Sequence, residues 1–298
     1  MSLLAPNWFV EEYRSNVRHI FQSKGFKLKS TVTPEGSITG KKVKWPYFGT
    51  FDMQEKTRGG ETPPANPNQG MLEADLKDYD YLYEIYEQDL NKMTANERQA
   101  HYVGGGNAVG RKSDSLIMNA LNDAVVAAGG RTFGSGGDFD GLPTALAVCE
   151  ALADDDQIEW DGNVTAVIPW RWYNILLMWK EFNNAEWVGT ANLGFPTGTV
   201  GKRWNNVNWV PFQKKELLIP ASNQAYGFIY HRNAAGYATN YEGKVTPDWD
   251  NRKGCWTFRG DLQAVSMALY PGASGIYRMH YATNTALARP VERTQTVS

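Results

Sequence analysis

The chain has 298 residues, enough for one large or two moderate domains around a substantial core. Its 30 lysines and arginines against 32 aspartates and glutamates leave a net charge of −2, which disfavours a dedicated nucleic-acid reader. No apolar run approaches the roughly 18 residues of a membrane span, and Cys149 and Cys255 form no CxxC pair, so reduced thiols are expected.

Apolar spacing predicts a first helix from about Pro6 to Lys24, with Phe9, Tyr13, Val17 and Ile20 on one face and Gly25 as its stop. Nothing beside it in sequence offers that face a partner, which marks it as an arm that packs elsewhere. Two strand-like runs follow, Ser37 to Trp45 and Met71 to Tyr79, around a tip from Thr57 to Gly70 made almost wholly of turn formers. The three together read as a long hairpin, an excursion uncommon inside a compact domain.

Thr94-Ala95-Asn96-Glu97 is a capping box that opens a helix to about Ala128, striped by Leu116, Ile117, Ala120, Leu121 and Ala124. Gly104, Gly105 and Gly106 lie inside it, each costing roughly 1 kcal/mol relative to Ala, and are the candidate hinge. A glycine-rich connector from Gly129 to Gly141 leads to a short helix over Ala145, Val148, Cys149 and Leu152, ended by Asp154-Asp155-Asp156. Val164 to Ile168 is a buried strand, and one helix after Pro169 carries Trp172, Ile175, Leu176, Trp179 and Phe182. The remainder is β: Asn206 to Phe212, Tyr226 to His231, Gln263 to Leu269 and Ile276 to Tyr281. The fold class is α+β, with helices and strands more segregated than alternated.

Chemical motifs are near misses. Gly105 to Gly110 followed by Arg111-Lys112-Ser113 almost spells a phosphate loop, but Arg111 displaces Lys112 by one position and no buried strand precedes it. His19, His101, His231 and His280 are scattered, and Asp138-Phe139-Asp140-Gly141 starts a calcium loop whose closing glutamate is replaced by Cys149. No catalytic, cofactor-binding or metal site is expected.

Charge is unevenly placed. From Tyr13 to Lys44 eight basic residues face one acid, Glu35, for a net of +7, whereas the segment from Glu73 to Arg98 carries a net of −5. Lys41, Lys42, Lys44 and Arg58 on one side, and Glu73, Asp75, Asp78, Glu84 and Glu87 on the other, are the candidate assembly residues. They either pair within one hairpin or join neighbouring subunits.

Three runs occur in a telling order: Gly40-Lys41-Lys42-Val43-Lys44-Trp45-Pro46-Tyr47-Phe48-Gly49-Thr50, then Leu72 to Tyr79, then Ala108-Val109-Gly110-Arg111-Lys112-Ser113-Asp114-Ser115-Leu116-Ile117. Together they resemble the major capsid proteins of tailed double-stranded DNA phages, which share the Hong Kong 97 fold. The last run is similar to the spine helix of one branch of that family.

The resemblance implies an N-terminal arm over 1–33, an extended E-loop over 34–75 and a P-domain over 76–155 with its spine helix at about 94–128. An A-domain over 156–253 and a return to the P-domain over 254–298 complete it. It implies a structural subunit, not an enzyme, that assembles in the host cytoplasm as hexamers and pentamers into an icosahedral shell around the genome. The implied partners are further copies of the chain, a separate scaffolding protein, a portal, decoration proteins in some shells, and packaged DNA contacted without sequence preference; no membrane is involved. An encapsulin-like compartment and an α+β nucleotide-binding enzyme using residues 105–113 are the alternatives.

Overall fold

The computed structural model describes residues 24–35, 38, 40–49, 51, 53, 55–56, 58–61, 64, 67–86, 95–154, 158–183, 202–242 and 246–287. The expected arm helix before Lys24, the capping residue Thr94 and the candidate Glu87 lie outside the described residues.

After a short strand β1 (Thr33–Glu35), β2 (Lys42–Phe48) and β3 (Gln69–Asp75) form an antiparallel hairpin in register from Lys42 opposite Asp75 to Phe48 opposite Gln69. Strict alternation in β2 buries Val43 and Trp45 on one face and leaves its lysines on the other. The second predicted run is cut at Leu76, whose N–H donates to Lys41 O at 2.9 Å, and β4 (Lys77–Tyr86) leaves for another sheet. One buried residue is therefore the corner between hairpin and body.

Helix α1 (Ala95–Ala128) runs unbroken for 34 residues and stops at Gly129, in the left-handed region at φ 66°, whose N–H donates to Val125 O. It passes straight through Gly104, Gly105 and Gly106. The stretch resembling a phosphate loop is thus helical, and its amides are spent on intrahelical bonds instead of facing a ligand.

The helix lies on β12 (Cys255–Ala268), the central strand of a five-stranded sheet. One edge of β12 pairs with β4 from Cys255 opposite Tyr86 to Ala264 opposite Lys77. Its other edge is shared by β10 (Ala235–Glu242) and β11 (Thr246–Asp250), and β1 adds parallel to β10. Gly260 makes the β4 pairing possible, since a Cβ there would stand 2.3 Å from the Tyr81 ring.

The second sheet has six strands in the order β5 (Thr132–Phe133), β13 (Ile276–Ala282), β9 (Gln224–His231), β6 (Val164–Pro169), β8 (Val207–Phe212), β7 (Lys202–Trp204). All six residues of β6 are buried, as suits a central strand covered on both faces. Helix α2 (Leu142–Asp154) and the helix after Pro169 accompany this sheet, where Phe139 stacks on Trp172 with centroids 5.0 Å apart.

That second helix is not continuous as expected: α3 (Trp170–Leu177) and α4 (Lys180–Asn183) are separated at Met178 and Trp179. The break drops the Trp179 indole against the Gly141 corner. β10 and β11 were not anticipated, and β12 begins eight residues before the expected Gln263. The final two strands also part company, β12 entering the five-stranded sheet and β13 the six-stranded one.

Candidate assembly surfaces

Three features stand out from the closed core. The first is the hairpin, where Glu73 is held between Lys44 Nζ at 2.7 Å and Lys42 Nζ at 3.3 Å. Hydrogen bonds from Lys44 and then Lys42 hold its carboxyl below the ordinary glutamate range. Lys41, Arg58 and Asp75 are exposed on the same excursion. Toward its far end Phe48 and Phe51 are 64% and 66% exposed and Met53 is fully so, large apolar side chains that a finished fold seldom leaves together in water.

The second is the face of the five-stranded sheet away from α1. Tyr79 points to the helix, where Lys112 Nζ lies 4.1 Å above its ring, so alternation turns Asp78, Asp80, Leu82, Glu84 and Tyr86 to the other side. Glu84 there pairs with Lys253, while Arg259 reaches Asp261 at 2.6 Å and Asp80 at 4.0 Å. Lys42, Lys44 and Glu73 are thus brought together, whereas Asp78 and Glu84 sit on a separate acidic surface.

The third feature went unread in the sequence: residues 24–32 cross α1 and touch both sheets. Phe26 N–H donates to Gly110 O at 3.2 Å, and the Asp114 carboxylate accepts the N–H groups of Lys27 at 3.2 Å and Leu28 at 3.0 Å. Burial outweighs those two donors and raises the Asp114 pKa. Further along, Lys27 Nζ meets Glu216 at 3.1 Å and Thr31 Oγ1 meets Tyr230 OH at 2.5 Å. An aspartate on a polar helix turn reads as solvated, so only its place in the Gly-Arg-Lys-Ser-Asp run could have signalled this role.

Among the described residues no group of three or more His, Cys, Asp or Glu side chains gathers to hold a metal ion, and no helix is long and apolar enough to cross a membrane.

A long helix on one sheet, a second sheet beside it, and a hairpin that leaves Phe48, Phe51 and Met53 bare to water make up this two-sheet α+β fold. The chain belongs to the phage capsid protein family, whose model matches residues 5–278. The resemblance read from its motifs is thereby borne out.

Solved structures agree on the fold. The capsid of cyanophage P-SCSP1u is 14% identical with a TM-score of 0.66 over 92% of this chain and 93% of that one. The capsid of Ralstonia phage GP4 is 12% identical with a TM-score of 0.65 over 94% and 97%. The capsid of a native GTA particle is 14% identical with a TM-score of 0.66 over 94% and 96%. No curated protein matches the chain in sequence.

Proposed function

We propose that this phage capsid protein is the major shell subunit of a tailed double-stranded DNA phage, assembling as hexamers and pentamers in the host cytoplasm and acting through assembly, not catalysis. The observation that carries this reading is the hairpin, whose exposed Phe48, Phe51 and Met53 need apolar cover that the described part of the chain does not give them. The E-loop over 34–75 takes in the hairpin, the P-domain over 76–155 takes in β4 and α1, and the A-domain over 156–253 takes in β6 to β9; the sheets cross these bounds, since β10 and β11 of the A-domain range join the five-stranded sheet and β13 of the return to the P-domain joins the six-stranded one.

Charge complements this assignment. The basic edge of one hairpin, with Lys41 and Arg58 exposed, suits the acidic face around Asp78, Asp80 and Glu84 on the next subunit. A separate scaffolding protein, a portal, decoration proteins and the packaged genome complete the expected partners. Imaging of particles from cells expressing the chain with its scaffold tests the proposal: closed shells are expected, and a strictly monomeric protein under all such conditions would overturn it. Double-stranded DNA inside native particles separates a phage shell from a cargo compartment.

A further inference from the structure

Strands β2 and β3 hydrogen-bond to each other and form a two-stranded sheet of their own, separate from both large sheets. A hairpin of that size is marginal by itself in water, so it leans on side-chain contact with the body. That contact is one apolar patch centred on Val43, Trp45, Leu76 and Ala238, and it is not continuous with the main core. Beyond it the hairpin stands off. A cleft of about 540 Å³ opens between Tyr47, Phe48 and Gly49 on the hairpin and Ile158, His231 and Tyr270 on the body.

Trp45 carries a fault within this patch. It is 3% exposed, yet its indole N–H has no acceptor among the described residues. The other buried tryptophans do not share this: Trp172 Nε1 donates to Ala282 O at 2.7 Å, and Trp209 Nε1 donates to Trp204 O at 3.3 Å. A buried donor left unpaired gives up its water and gains no bond in return. Lifting the hairpin returns the N–H to water, so the penalty falls on the hold between hairpin and body.

We infer that the hairpin is a strap poised to lift from the body, and that the unpaired Trp45 indole N–H sets how readily it does so. Neither large sheet has to open for the strap to move, since no strand of either is paired with it. The inference concerns the single subunit and does not depend on the shell reading.

The test uses the full chain as free subunits, with Val43→Cys placing a thiol in the patch and the native buried thiol of Cys149 as reference. Cys149 belongs to the main core, so it reports opening of the body. Labelling by a disulfide reagent is followed at both positions. The introduced thiol should react at least about tenfold faster than Cys149 under native conditions. Replacing Trp45 by benzothienylalanine, which keeps the shape of the ring and sets sulfur in place of N–H, should slow the introduced thiol by about fivefold or more and leave Cys149 unchanged.

Equal labelling of the two thiols overturns the inference, because the hairpin then opens only with the body. Unchanged or faster labelling after sulfur replaces N–H overturns it as well, since the unpaired donor is then not what weakens the patch. If Val43→Cys does not fold, proton exchange at the indoles of the unsubstituted chain replaces labelling. The Trp45 indole should then exchange at least about tenfold faster than that of Trp172, and equal rates refute the proposal.

Discussion

Lys44 and Glu73 stand directly opposite each other across the hairpin, their charged atoms 2.7 Å apart, with Lys42 closing on the same carboxylate from the other side. Part of the charge contrast between the two segments is therefore spent inside one subunit. On the shell reading, Lys41 and Arg58 would meet the acids on the sheet face turned from α1, where Glu84 and Asp80 already have Lys253 and Arg259 beside them.

Salt separates the two uses of charge. Screening shortens to about 3 Å at 1 M salt, so shell yield should fall along a salt series while the melting temperature of free subunits barely moves. Lys41→Glu combined with Arg58→Glu should lower shell yield at low salt and leave the subunit folded. Parallel loss of folding and assembly would show that the contact is internal.

Gly104 and Gly106 have open space where a Cβ would go, so packing within the subunit does not demand glycine at either. Replacing either by Ala should stabilise the free subunit by about 0.5–1 kcal/mol through helix propensity. If the helix must bend as the shell expands, particles of the variants should expand abnormally despite the gain, which time-resolved scattering would record. Ordinary expansion would remove the hinge from these glycines.

The joint between β4 and β12 depends on one missing methyl group. Gly260→Ala should cost about 1–3 kcal/mol by overpacking against Tyr81. In a Tyr81→Ala background the same change should cost far less, a coupling that a denaturation double-mutant cycle measures. Additive losses would mean that the ring is not what reserves the space.

His280 supplies a pH dependence. Its Nε2 lies 2.9 Å from Gln224 Oε1 and its ring packs on Tyr226, while burial first and the Arg278 charge second hold its pKa below the ordinary 6.5. A depressed pKa on a base means that the folded state prefers the neutral ring. The resulting stability is present above about pH 6.5 and lost as pH falls through the lowered value. Melting temperature should decline between pH 7.5 and 5, and less steeply in His280→Gln; identical slopes would exclude this histidine as the source.

What could be read from the sequence follows from how each signal is encoded. Helix α1 carries its own cap and an apolar stripe, and β6 its unbroken apolar run, so both were found with nearly correct ends. β10 spans Ala-Gly-Tyr-Ala-Thr-Asn-Tyr-Glu, where Gly236 lies against Leu269 and Ala238 against the Val43 and Trp45 cluster, so its buried positions are small and give no clear period. β12 was shortened because Gly260 and Asp261 look like a turn until the Tyr81 ring above Gly260 is known. The hairpin lysines were legible as charge, but their shared acceptor depended on register. Asp114 was quoted as part of a pattern while its task stayed hidden, because a nine-residue crossing from 86 positions away leaves no local trace.

The buried face of β2 braces the hairpin on the body: Val43 and Trp45 pack with Leu76 against Ala238 of β10 and Val265 and Met267 of β12. The two arms of the hairpin are tied to each other along their full length, yet the chain turns from β3 into β4 across one residue. Seven paired residues extend about 24 Å, so a tilt of about 10° at the corner would carry the distal end sideways by about 4 Å and would shear the Val43 and Trp45 contacts. Whatever tilts the hairpin would therefore work against packed apolar side chains at this one seam, not about a free pivot.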